Sequence, residues 1–303
     1  MIELFYINRE GTSAKLDSKP FTVKGPRLEK AWYHRFRIKE TQVAIDFPLN
    51  KSGRKLTNPI HFPKDQLDLI DYRDNESTLR SPSDYDGYQS APFYRHGWLH
   101  LLFFARAYYQ LSPWGRGRCA RQYLNCRIVT KKGGIKGSLL NPKNFEGVVS
   151  DFLTDSMGRD INWQGKRSFA NRPMFFGPYR WRVLENAGSP AVAFNMHVVP
   201  GHEDVKTMLG CYAIDSQHML CVSFRNKVSP YSNKETHKRI IDAVDDYSNS
   251  ILESVRVHLS PELKASYDQA CAEGAKISDE VLPFDFEAML KEDHAYHARY
   301  QKR

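Results

Sequence analysis

His197, His202, Glu203 and Asp204 bring two imidazoles and two carboxylates close together in the chain. Two imidazoles and a carboxylate form a workable zinc set. However, His197 ends an alternating strand pattern, and the other three follow Pro200-Gly201 in a loop. The expectation is a polar hairpin rim rather than a metal centre. His96 and His100 are four apart, but no Glu stands in the metalloprotease position between them. His294 and His297 read as solvated. Asp151 and Asp155 are also four apart, a common spacing on a solvated helix face.

Nucleophiles are equally sparse. No G-x-S-x-G elbow occurs. Cys119 and Cys126 lie in a basic stretch that could lower a thiol pKa. Cys211 and Cys221 are equidistant from Ser216, so a three-residue turn places them opposite each other. They read as two small, half-buried strand residues in preference to a redox pair. Gly115-x-Gly117-x-x-Ala120 matches a dinucleotide glycine pattern, but no acidic residue follows until Glu146. Lys131-Lys132-Gly133-Gly134 lacks the Ser or Thr of a phosphate loop. The expectation is no catalytic residue, no cofactor and no metal.

Charge is the stronger signal. The chain carries +9 overall. Between Gly87 and Phe145 there is no Asp or Glu, while Arg95, Arg106, Arg116, Arg118, Arg121, Arg127, Lys131, Lys132, Lys136 and Lys143 are all basic. Residues 235–303 are net −5. Such a segment calls for an anionic partner or for internal pairing with the acidic helices. Tyr108, Tyr109, Trp114 and Tyr123 interleave with the basic residues, as stacking on single-stranded nucleic acid requires.

The elements that must hold these residues follow from length and periodicity. A chain of 303 residues accommodates one large or two ordinary domains at ~150 residues each. No apolar run approaches the ~20 residues of a membrane span. Residues 1–25 lack the apolar core of a secretory signal. The five cysteines are odd in number and form no C-x-x-C. A cytoplasmic protein with reduced thiols is expected.

Period-two alternation predicts strands at 1–7, 31–38 and 42–47. Residues 48–94 read as a tyrosine-bearing irregular excursion with one helical turn at 64–70. Trp98, Leu101, Leu102, Ala105, Tyr108 and Tyr109 recur at three and four, which predicts a helix over 97–111. A strand is expected at 122–130. A helix is expected from Pro142 to Met157, capped by Asn141 and stopped by Gly158. Four strands follow, at 179–183, 192–198, 207–214 and 218–226. In the last hairpin Tyr212 faces Leu220, Gly210 faces Val222 and Met208 faces Phe224. Ile240, Val244, Tyr247, Ile251 and Val255 stripe a helix over 233–258, with Ser232 and Glu235 as a capping box and Arg256 and His258 in its last turn. Two more helices are expected, from Ser260 to about Gly274 and over 285–300.

The fold class is therefore α+β: an antiparallel meander packed by a long amphipathic helix, with an N-terminal mixed β/α part. The parts divide at 1–160 and 161–303, with a single shared core as the alternative. Residues 178–260, with Tyr179 and Trp181 on the first strand, resemble the Mog1/PsbP-like modules of bacterial type VI secretion immunity and adaptor proteins. That resemblance implies a non-catalytic protein that neutralises a toxin by occluding it. Without a secretory signal it implies a cytoplasmic toxin, or a chain numbered without its leader. On this reading Tyr85, Tyr88, Tyr94, Trp114, Arg116 and Arg118 bind a protein partner, since Tyr, Trp and Arg anchor such interfaces. The alternatives are nucleic-acid binding through residues 106–136 and an enzyme site near His197 and His202.

Overall fold

The computed structural model describes residues 13–16, 19–22, 31–48, 93–95, 97–111, 118–157, 176–197, 205–229 and 234–280. It is an α+β fold built on one antiparallel sheet. Seven strands lie in the order β5 (Phe93–Arg95), β6 (Trp98–Leu111), β7 (Arg118–Lys131), β11 (Met219–Val228), β10 (Val205–Ala213), β9 (Ala191–His197) and β8 (Phe176–Val183). The sheet thus draws strands from both sides of residue 160. Two smaller sheets accompany it. One pairs β1 (Ser13–Leu16) with β2 (Lys19–Thr22). The other orders β12 (Arg256–His258), β4 (Thr41–Pro48) and β3 (Ala31–Ile38). The helices are α1 (Pro142–Met157), α2 (Lys234–Ser254) and α3 (Pro261–Ala272).

Alternation decides which side chains meet which helix. Leu124, Cys126, Ile128, Leu220, Val222, Phe224, Met208 and Tyr212 point to one face and pack with Tyr247, Ile251 and Leu252 of α2. Ile240, Ile241, Ala243 and Val244 extend that contact onto Ala120 and Val228. On the other face Trp98, Val129, Met219, Cys211, Cys221, Val192 and Phe194 receive Phe145, Val149, Phe152 and Leu153 of α1. The sheet is sandwiched, and its strands are correspondingly apolar on both sides at that end.

Several expectations hold at residue level. Helix α1 begins at Pro142, and Asn141 Oδ1 accepts the amides of Lys143 at 3.0 Å and Asn144 at 3.2 Å. The β10–β11 hairpin has the expected register: Met208 with Phe224, Gly210 with Val222, Cys211 with Cys221, and Tyr212 with Leu220. Its Asp215 Oδ1 accepts the amides of Gln217 at 2.7 Å and His218 at 2.8 Å, which closes the turn. Helix α3 starts after Ser260, whose hydroxyl accepts the Leu263 amide.

Two assignments are corrected. The helix expected over 97–111 is strand β6, paired with β7 from Trp98↔Lys131 to Leu111↔Arg118. The run WLHLLFFARAYYQL has almost no polar face, so spacing at three and four does not establish a helical period. Its aromatic content suits a strand. The helix expected to reach 258 ends at Ser254, and Arg256–His258 pair with β4 instead. The Val255 and Val257 side chains are buried at this junction. Arg256 still serves the helix end, its Nη1 donating to the carbonyls of Glu253 at 2.5 Å and Val255 at 2.9 Å. The strand expected at 1–7, the cap residue Ser232, Gly158, the helical turn at 64–70 and the helix at 285–300 lie outside the described residues.

Candidate binding surface

Helix α1 covers only one end of its face of the sheet. At that end the basic segment is neutralised from within. The Lys131 ammonium lies 3.2 Å from Asp151 and 3.7 Å from Asp155. The Trp98 indole N–H donates to Asp155 Oδ2 at 2.9 Å, and Lys131 also sits 5.3 Å from the Trp98 ring centre. Asp151 and Asp155, read from sequence as a solvated pair, hold this contact. Lys143 pairs with Glu146 at 2.8 Å, and Glu146 Oε2 accepts the Ser278 amide at 2.6 Å. Burial pushes the Glu146 carboxyl up, but Lys143 and the Ser278 amide and hydroxyl outweigh it and hold it below the usual range.

At the other end of the same face the side chains change character. Strand β7 presents Arg121, Tyr123 and Asn125, and β11 presents Lys227, Arg225 and Ser223 directly across from them. Thr207 of β10 stands next to Arg225. Arg225 and Lys227 are exposed. The Arg121 guanidinium lies 4.4 Å from the Tyr123 ring centre. The strands β6, β7, β11 and β10 contain no Asp or Glu. Opposing Arg121 with Lys227 is unfavourable for a sheet, because like charges directly across antiparallel strands repel. The arrangement builds a cationic surface with a tyrosine at its centre.

Alternation in SFRNKV places Arg225 and Lys227 opposite Phe224 and Val228, and so outward. That signal was legible. The neighbours across the sheet were not, because β7 lies far away in the chain. Of the residues expected to bind a partner, Tyr94 is the middle residue of β5, across from Leu99. Arg118 opens β7 across from Leu111. Tyr85, Tyr88, Trp114 and Arg116 lie outside the described residues.

Of the candidate cluster at 197–204, only His197 is among the described residues. His197 ends β9 with its ring 4.6 Å from that of Tyr179. His202, Glu203, Asp204, His96, His294 and His297 lie outside the described residues, among which no three His, Cys, Asp or Glu form a metal cluster. Cys119 and Cys126 are buried, unlike the accessible thiolates of reactive cysteines. Burial pushes the Cys119 thiol up to about 12 and Cys126 higher still, against the weaker pull of Arg127. Cys211 and Cys221 are buried rather than half-buried, with their sulfurs 3.7 Å apart. The glycine pattern at 115–120 runs into β7 at Arg118, so a strand and not a helix follows it to receive a pyrophosphate. A recess of about 370 Å³ between β8 and the end of α2 is lined by Arg182, Glu185, Glu253 and Arg256. Its Arg182 is already held by Asn249 at 2.8 Å and Glu253 at 3.5 Å.

Beneath α2 the row of positions behind the cationic surface is polar and buried. Gln122 Nε2 donates to Ser248 Oγ at 2.6 Å and Asn226 Oδ1 at 3.2 Å. Asn226 Nδ2 donates to Asp245 Oδ1 at 3.3 Å, and Lys206 pairs with Asp245. These bonds fix the helix over the strands that carry Tyr123, Arg225 and Lys227.

Among the described residues no helix is long and apolar enough to cross a membrane. Comparisons with protein-family models, with curated proteins and with solved structures return no match.

Proposed function

We propose that this is a non-catalytic binding protein whose partner is a protein with an acidic surface. The observation that carries this reading is the exposure of Arg225 and Lys227 beside Arg121 and Tyr123, on the end of the sheet that α1 leaves uncovered. Arg and Tyr are favoured anchors of protein interfaces, and a cationic strip steers an acidic partner onto them. The Arg121 guanidinium occupies one face of the Tyr123 ring, which leaves less of that ring for a stacked base. This favours a protein over single-stranded nucleic acid. The use that fits the resemblance of residues 178–260 is neutralisation of a bacterial toxin by occlusion.

Affinity capture from the native lysate tests the reading, with nuclease present and with a doubly reversed variant, R225E with K227E, run in parallel. One stoichiometric protein retained by the wild type and lost by the variant is expected. Retention of nucleic acid that nuclease and salt remove, with no protein, overturns it. Equal retention by the two forms also overturns it.

A further inference from the structure

The recess of about 370 Å³ lies between the turn that follows β8 and the C-terminal turn of α2. It is on the α2 side of the sheet, away from Arg225 and Lys227. Leu252 and Val255 line it and are themselves buried, so its floor is apolar. Its wall is held in place. The Ala187 amide donates to the Leu184 carbonyl at 3.1 Å and closes the turn Glu185–Ala187. Gly188 then comes so close to β12 that a Cβ there would collide with the Val257 carbonyl. A preformed recess of this volume falls at the small end of small-molecule sites.

Its charges are only partly used within the protein. Arg182 Nη2 donates to Asn249 and stands 3.5 Å from Glu253. Arg256 spends Nη1 on the carbonyls that end α2. Among the described residues nothing engages Arg182 Nη1 or the Nε and Nη2 edge of Arg256. Glu185 lines the same recess, yet among the described residues it makes no hydrogen bond and no ion pair. Burial pushes the Tyr212 hydroxyl well up while Arg182 and Arg256 both pull it down, so the two guanidiniums converge beside Leu252, whose carbonyl accepts that hydroxyl. Two guanidiniums and two carboxylates therefore share one small space. A simple anion entering it would meet Glu185 and Glu253, and a simple cation would meet Arg182 and Arg256. A molecule with both charges meets a partner for each.

We propose that this recess is a binding site for a small zwitterion, an α-amino acid with an apolar side chain. Its carboxylate would lie on the open edges of Arg182 and Arg256, which present N–H groups in the fork that suits a carboxylate. Its ammonium would lie on Glu185, near the negative end of α2. Its side chain would cover Leu252 and Val255.

The probes are L-valine, L-leucine, L-methionine and L-phenylalanine, each titrated calorimetrically and added at about 20 mM during thermal unfolding. At least one is expected to bind with a Kd of about 1 mM or tighter and to raise the melting temperature. The tightest is then compared with its analogue lacking the ammonium and its analogue lacking the carboxylate. Each analogue is expected to bind about tenfold more weakly or worse, because a charged group of the recess loses its partner. Glu185→Gln is expected to weaken the amino acid about tenfold while leaving the analogue without ammonium unchanged. Without ligand, E185Q is expected to melt with the wild type, since among the described residues Glu185 has no contact to lose.

Four outcomes overturn the proposal. They are no binding of any of the four amino acids, equal binding of either analogue, unchanged amino-acid binding by E185Q, or a lower melting temperature of ligand-free E185Q. The last would show that the Glu185 carboxylate already has a partner within the protein. The reading of the cationic surface, on the other face of the sheet, stands or falls separately from all four.

Discussion

Lys206 and Asp245 form an ion pair sealed between β10 and α2, with side chains 2% and 4% exposed. Burial pushes the Asp245 carboxyl above its usual range, against the pull of Lys206, Arg180 and Asn226. Two charges taken from water cost several kcal/mol each, and their attraction returns that only while both are present.

Asp245→Ala should therefore cost about 3–5 kcal/mol, since it strands the Lys206 ammonium. Replacing both partners with Met and Leu should recover most of that loss. Urea unfolding of the three proteins checks this. A loss below about 1 kcal/mol for D245A would show that water reaches the site.

Gly210 should not tolerate a methyl group. A Cβ there would lie 2.6 Å from the Tyr212 hydroxyl and 2.9 Å from Leu252 Cδ2. That hydroxyl donates to the Leu252 carbonyl at 2.7 Å, so the ring has no room to retreat. Gly210→Ala should cost about 1–3 kcal/mol, read as a lower urea midpoint. Tyr212→Phe, which leaves the buried carbonyl unpaired, should cost a similar amount.

Stability and binding should separate on the two ends of the basic face. Lys227→Glu turns a like-charge pair with Arg121 into an opposite-charge pair, and should gain about 0.2–1 kcal/mol in low salt. The same change should weaken partner capture. Lys131→Glu breaks the contacts with Asp151 and Asp155 and should lower the melting temperature while leaving capture intact. A destabilised K227E would show that the pair does not repel.

Asp215 should govern part of the acid limb. Burial pushes its carboxyl up, but the His218 hydrogen bond and charge, the Gln217 amide and Lys39 together hold it below the usual range. A folded pKa below the unfolded one contributes stability that is complete above the unfolded value of about 3.9 and drains away as pH falls through the folded value. Asp215→Asn should melt below the wild type near neutral pH, and the gap should narrow on acidification. A gap that stays constant with pH would assign the loss to the turn hydrogen bonds alone.

Local rules made much of this fold readable. Asn141 and Pro142 mark the start of α1 because capping depends on adjacent residues. Cys211 falls opposite Cys221 because alternation and a short turn leave one workable register. The stripe from Ile240 to Ile251 faces the sheet because a helical period leaves it no other side to bury.

What sequence determined by itself was what neighbouring residues determine: strand alternation, helix stripes, caps, the acid-free charge of residues 87–145 and the α+β class. Tertiary structure decided the rest. Residues 98–111 are apolar nearly all round, so no local period chooses between helix and strand, and pairing with β7 made the choice. Arg256 to His258 left the helix because β4 offered an edge. Of the basic segment, Lys131 and Lys143 pair with carboxylates of α1, and Arg121 joins Arg225 and Lys227. Only the pairing of β7 with β11 brings those residues together, and no spacing along one strand records it.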